Sequence, residues 1–245
     1  MLQEEHPDLD LALTTNGSQL ERLAAPLRAA GVKRINISVD SLDAARFNAL
    51  TRGGDLAGVL RGVDAAQRAG FEEIKTNTVV LRDQNLSEVD AIAQWALERG
   101  LSPRFIELMP LGEGGALMDQ HVPWQEVAGL LGTVLSEEAP QRQARRGPAQ
   151  YVGTRDGRGK VGFITAVSNS FCDTCDRVRL TAKGEIRACL ASPDGLSMRD
   201  LLRQGASDSE LTLLLRAAVT GKTEHAFTSS THGQAGAVVM TNMGG

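Results

Sequence analysis

The sequence has no apolar run approaching the roughly 20 residues needed to span a bilayer. Its first residues, Met1-Leu2-Gln3-Glu4-Glu5-His6, are acidic and polar, where a secretory signal would have a basic start and an apolar centre. A cytoplasmic protein with no membrane role is therefore expected. There is no surplus of positive charge either. At a net charge of −4 nothing points to a nucleic-acid partner, so any anionic substrate must be met by local cations. Three cysteines in such a chain argue against a disulfide framework. Internal repeats and low-complexity segments are absent.

What is present is an alternation of strand and helix patterns over the first 110 residues. Apolar runs at 9–13, 34–39, 74–81 and 104–108 read as strands. Helical spacing follows at 20–30, with Ser18 as N-cap, then at 41–50, 56–69 and 87–99. Ala30-Gly31-Val32, Ala69-Gly70-Phe71 and Arg99-Gly100-Leu101 each place a glycine where a left-handed residue closes a helix before a strand. The alternation predicts parallel strands with crossover helices, as a barrel or an open sheet, with ligands at the carboxyl ends of the strands. After Pro110 the pattern changes. Residues 124–135 look helical. Residues 151–153 and 161–167 flank a hairpin turn at Arg155-Asp156-Gly157-Arg158-Gly159, and 198–203 and 209–219 read as helices. The division expected is 1–110 and 111–245.

The three cysteines are spaced Cys172-x2-Cys175-x13-Cys189. Two thiolates on a tight turn can grip one metal centre, and a third can return on a strand pair turning at Lys183-Gly184. Thiolates suit zinc or an iron–sulfur cluster. A structural zinc site wants a fourth ligand, and no fourth Cys exists. Three ligands fit a four-iron cluster with one iron left open, while a three-Cys zinc module and buried unliganded thiols stay as alternatives.

Arg177 and Arg179 follow soon after Cys175. With Val178 turned into a strand's core, both guanidiniums would point the same way and could anchor phosphate. Lys75 interrupts the apolar strand around it, either snorkelling at an edge or reaching a phosphate.

These stretches, taken in order, resemble one family. They are Leu13-Thr14-Thr15-Asn16-Gly17, Arg34-Ile35-Asn36-Ile37-Ser38-Val39-Asp40-Ser41-Leu42-Asp43 and Ile74-Lys75-Thr76-Asn77-Thr78-Val79. Next come Arg104-Phe105-Ile106-Glu107-Leu108-Met109-Pro110-Leu111-Gly112, Gly162-Phe163-Ile164-Thr165, Phe171-Cys172-Asp173-Thr174-Cys175-Asp176-Arg177-Val178-Arg179-Leu180-Thr181 and the terminal Gly244-Gly245. The chain resembles the GTP 3′,8-cyclase family (molybdenum cofactor biosynthesis protein A), within the radical S-adenosylmethionine superfamily. The resemblance implies an α/β fold, an incomplete (βα)6 partial TIM-type barrel with a C-terminal α+β covering region. It implies a lyase that cyclises GTP to (8S)-3′,8-cyclo-7,8-dihydroguanosine 5′-triphosphate. An adenosyl radical would take hydrogen from the ribose 3′ carbon, which then attacks C8 of guanine.

By position, the resemblance puts a four-iron, four-sulfur cluster on Cys172, Cys175 and Cys189, its open iron meeting guanine. Thr14, Lys75, Arg177, Val178 and Arg179 would contact GTP, and Ser38 and Met109 would contact S-adenosylmethionine. Arg177, Arg179, Gly244 and Gly245 would form the catalytic set, the glycine tail entering where only a side-chain-free backbone can pass. The family also suggests a homodimer and, as the next pathway enzyme, cyclic pyranopterin monophosphate synthase.

The sequence departs from the family at Asp176, usually Asn, which adds negative charge beside the cysteines. The family's Cys-x3-Cys-x2-Cys loop and Gly-Gly-Glu-Pro stretch have no counterpart here. The first would hold a second cluster, expected only in a full-length protein, and both belong to strands missing from the barrel. Met1 is accordingly expected to be an internal Met of a longer protein. The alternative is a short, non-catalytic module that binds GTP and a cluster.

Overall fold

A computed structural model of the chain describes residues 2–142, 147–192 and 195–220. They fall into two compact units, Met1–Glu107 with Val122–Ile164, and Leu108–His121 with the described residues from Thr165 on.

Unit 1 is a seven-stranded sheet with helices. In chain order it holds α1 (Leu2–Glu5), β1 (Ala12–Thr15), α2 (Leu20–Ala29), β2 (Arg34–Ser38), α3 (Ala44–Leu50), α4 (Leu56–Ala69), β3 (Glu73–Val80), α5 (Val89–Glu98) and β4 (Ser102–Glu107). Then come α6 (Trp124–Leu130), β5 (Gln141–Arg142), β6 (Gln150–Gly153) and β7 (Lys160–Ile164). The strand order is β1-β2-β3-β4-β7-β6-β5. Strands β1 to β4 and β7 run parallel, and β6 and β5 close the far side antiparallel. The mixed α/β fold with a parallel sheet follows the alternation seen in the sequence.

Period-two patterning makes one face of the sheet apolar. Ile35 and Ile37 of β2 are fully buried and pack with Leu20 and Ala24 of α2 and Val59, Val63 and Ala66 of α4. Further along, Phe105 and Phe163 pack with Ile92 and Ala93 of α5 and Val127 of α6. Each buried Ile, Leu, Val or Phe among them stabilises the fold by about 1.5–3 kcal/mol when taken from water. The helix α4 is capped at both ends. Asp55 accepts the Gly58 N–H at 3.0 Å, and Gly70 takes φ 72° at its end.

Several boundaries differ from expectation, four of them for a clear local reason. The strand β1 begins at Ala12 because Asp10 turns aside to hold Arg34 through two bonds, at 3.0 and 2.7 Å. Ser18 does not cap α2. Its N–H and Oγ both bond Asn16 Oδ1, and Gln19 fills the cap position. The helix α3 begins at Ala44 because Ser41 is turned toward Glu88 and Asp43 caps the Arg46 N–H at 2.8 Å. The helix α6 stops at Leu130, and the chain turns so that Leu135 can bridge Thr154.

Unit 2 has a three-stranded antiparallel sheet, β8 (Arg179–Leu180), β9 (Glu185–Arg187) and β10 (Leu196–Ser197), in the order β10-β9-β8. Two helices follow, α7 (Met198–Arg203) and α8 (Asp208–Thr220), close to the expected spans. The turn between β8 and β9 falls at Gly184, with φ 78°, as the sequence suggested. No helix among the described residues is long and apolar enough to cross a membrane.

Candidate functional site

The second face of unit 1's sheet is polar, and Thr14, Ser38 and Lys75, singled out above, stand on it. Thr14, Asn36 and Lys75 are register partners across β1, β2 and β3. Partners in register project to the same side. One step toward the carboxyl ends, Ser38, Asn77, Arg104, Gly162 and Tyr151 form a second row from β2 to β6. The Asn36 amide donates to Thr14 Oγ1 at 3.1 Å, and Arg104 Nε donates to Asn77 Oδ1 at 2.8 Å. Thr14 is exposed and Ser38 half-buried.

Lys75 is 2% exposed, too buried for an edge residue that snorkels. Its ammonium lies 2.7 Å from Glu73 Oε2, and Lys160 reaches the other oxygen of that carboxylate at 3.3 Å. Burial lowers the Lys75 pKa, and the Glu73 charge works against that shift. Burial alone would raise the Glu73 pKa, but Lys75 and Lys160 outweigh it and hold the carboxyl below its ordinary value.

The loops beyond β2 and β3 are tied down by polar side chains. Asp40 Oδ1 accepts the Val79 N–H at 2.9 Å, while burial raises the Asp40 pKa. Asn85, fully buried, donates to the carbonyls of Asp40 and Val79 and accepts from the Leu81 N–H. Glu88 accepts from Ser41 Oγ and the Leu42 N–H and pairs with Arg46. These contacts fix the backbone just past Ser38.

Unit 2 carries the cysteines and the paired arginines. Cys172–Thr174 form a single 3-10 turn, and the Cys175 N–H closes it on the Cys172 carbonyl at 3.1 Å. Cys189 follows β9, and its Sγ accepts the Ala191 N–H at 3.4 Å. All three thiols are half-buried and unbridged. Arg179 lies between charges. Burial lowers its pKa, Arg177 adds to that, and Cys189 and Cys175 oppose it. Arg177 stacks over the Phe171 ring, 5.0 Å from its centroid. Arg177 and Arg179 share the more buried side, but Val178 is 41% exposed. The valine therefore points outward and the guanidiniums inward, the reverse of the orientation expected from apolar patterning.

No three His, Cys, Asp or Glu side chains among the described residues are grouped to hold a single metal ion. The donor chemistry nevertheless fits a cluster. The thiols are soft, a C-x2-C turn presents two of them, and a peptide N–H points at the third sulfur, as it does for a thiolate ligand. Met109 belongs to unit 2 and is half-buried, its carbonyl accepting the Leu111 N–H. Gly244 and Gly245 lie outside the described residues.

Sequence reasoning missed Asn36, Asn77, Arg104 and Tyr151 on the polar face. Polar residues at alternate positions within apolar strands were the available signal for the first two.

Residues 1–96 match the Radical SAM superfamily model, which sets the class. Residues 101–228 match the model described as Molybdenum Cofactor Synthesis C. A GTP 3′,8-cyclase of Caulobacter vibrioides is 46% identical over 215 residues, covering 87% of this chain and 61% of that protein. The GTP 3′,8-cyclase of Hydrogenovibrio crunogenus is 40% identical over 227 residues, 91% of this chain and 69% of its own. That of Pelotomaculum thermopropionicum is 43% identical over 215 residues, 87% and 66%. The chain belongs to the GTP 3′,8-cyclase family. It spans 61% of the first of these relatives and 69% of the second.

Proposed function

We propose that this chain supplies the GTP- and cluster-holding parts of a GTP 3′,8-cyclase, a lyase of molybdenum cofactor synthesis acting in the cytoplasm. The observation that carries the reading is Arg177 and Arg179 on the same side of the segment that leaves the Cys172–Cys175 turn, two cations suited to phosphate beside soft metal ligands. Cys172, Cys175 and Cys189 would hold a four-iron, four-sulfur cluster. When bound, that cluster supplies an open iron as a Lewis-acidic contact for guanine. The chain's own residues then bind and orient. Arg177 and Arg179 neutralise phosphate, with Val178 beside them. Thr14 and Lys75 meet GTP from the polar face, Ser38 and Met109 hold S-adenosylmethionine, and the Gly244-Gly245 tail reaches the reacting centre. Positioning of this kind is the protein's share of radical chemistry that cofactors perform.

The strand order β1 to β4 and then β7, without the reversal of a doubly wound sheet, supports an arc of a partial (βα)6 barrel. The two family models meet near residue 100, which supports a functional division close to 110. A second cluster in the complete enzyme, a homodimer, and product handed to cyclic pyranopterin monophosphate synthase complete the proposal.

The test is GTP titration of anaerobically reconstituted protein. Arg177→Ala and Arg179→Ala should each weaken binding by roughly tenfold or more, the value of a charge-assisted contact, and leave the visible cluster absorbance intact. Unchanged affinity in both variants refutes the reading.

A further inference from the structure

Tyr151 is the single tyrosine of the chain. It ends the row Ser38–Asn77–Arg104–Gly162–Tyr151 on the polar face, and nothing above gives it a task. The row has one gap in side chains, at Gly162. A Cβ there would stand 2.8 Å from Arg104 Cγ and 2.9 Å from Tyr151 Cε1. The glycine thus lets Arg104 and Tyr151 lean together above it.

The phenol is 6% exposed, and its oxygen is buried with no hydrogen-bond partner of acceptable geometry. Arg104 lies beside the phenol and acts on it both by its charge and as a poorly aligned donor to the oxygen. A guanidinium only donates, however, so the phenol's own proton would still lack an acceptor. Two more cations sit against the ring, with the Lys160 and Lys75 ammonium groups 4.8 and 6.0 Å from its centroid. Glu73, the carboxylate among them, is already paired to both lysines. Burial raises the Tyr151 pKa, so the phenol keeps its proton near neutrality. A buried O–H donor without an acceptor is costly, and the surrounding surplus is of cations. What is missing on this surface is an anionic oxygen brought from outside.

We propose that Tyr151 is a ligand-binding residue whose phenol O–H donates to an anionic oxygen of a small molecule seated on the polar face beside Arg104 and Lys75. Two molecules of the proposed reaction carry such an oxygen, the nucleotide as phosphate and S-adenosylmethionine as carboxylate. The inference rests on the reading that this face holds those ligands.

The test compares wild type with Tyr151→Phe, which removes only the hydroxyl. GTP and S-adenosylmethionine are titrated separately into anaerobically reconstituted protein. One affinity should fall roughly tenfold and identify the oxygen's source. Without ligand, Tyr151→Phe should unfold close to the wild-type urea midpoint, because the O–H it loses donates to nothing and Arg104 keeps its bond to Asn77. In wild type the same ligand should perturb the near-ultraviolet tyrosine band, and that signal should vanish in the variant. If Tyr151→Phe instead lowers stability and changes neither affinity, the hydroxyl is structural and the inference fails. Should Arg177→Ala weaken GTP while Tyr151→Phe changes neither ligand, the inference fails alone and the proposed function stands. If wild type binds neither ligand, both fall.

Discussion

Lys75 and Glu73 stand two residues apart on β3, project to the same face, and meet at 2.7 Å with the lysine almost wholly removed from water. The carboxylate serves two ammonium groups at once, because Lys160 reaches it from β7. A lysine buried in this way keeps its charge only while a counter-ion stays beside it.

Glu73→Gln should therefore destabilise unit 1 by about 3 kcal/mol, since removing one partner leaves a buried charge uncompensated. Urea unfolding followed by far-ultraviolet circular dichroism measures it. A loss within about 0.5 kcal/mol, the range of an ordinary surface substitution, would show that the pair is not structural.

The same pair sets a pH dependence. The folded Glu73 carboxyl lies below its ordinary 4.5, so the fold favours the carboxylate. Its stabilisation is full above that value and is lost as pH falls through the folded one. The gap in urea midpoint between wild type and Glu73→Gln should narrow below about pH 4.5. A gap that widens on acidification contradicts the assignment.

Much of this fold was legible in the sequence. Glycine after Ala69 marked the end of α4, and Gly70 does take the left-handed conformation there. Lys183-Gly184 marked the β8–β9 turn, and the run at 34–39 marked β2. Register was not legible. That Arg104, Gly162 and Tyr151 share a row depends on how distant segments align, and no local pattern encodes it. Val178 misled because an apolar residue between two arginines suggests an inward valine. The local environment instead turns the guanidiniums in, one onto Phe171 and one toward the thiols.

Asn85 was equally invisible, being one polar residue in a short connection. Its side chain satisfies three backbone groups, on Asp40, Val79 and Leu81. Asn85→Ala leaves all three without that partner in a buried setting and should cost about 2–4 kcal/mol. Chemical denaturation checks this. A change under about 1 kcal/mol would mean that the loop re-satisfies those groups on its own.

Gly162→Ala tests the close approach above the sheet. With a Cβ 2.8–2.9 Å from Arg104 and Tyr151 atoms, the substitution should destabilise by about 1–3 kcal/mol. It should also weaken ligand binding on the polar face by moving both side chains. Wild-type stability together with wild-type affinity would contradict the packing described.

The most direct measurement is iron, sulfide and zinc analysis of the chain after anaerobic reconstitution, with a Cys172, Cys175 and Cys189 triple serine variant beside it. The account predicts a brown protein with about four iron and four sulfide per chain, absent from the variant. Zinc, or no metal at all, in the wild-type chain would contradict it.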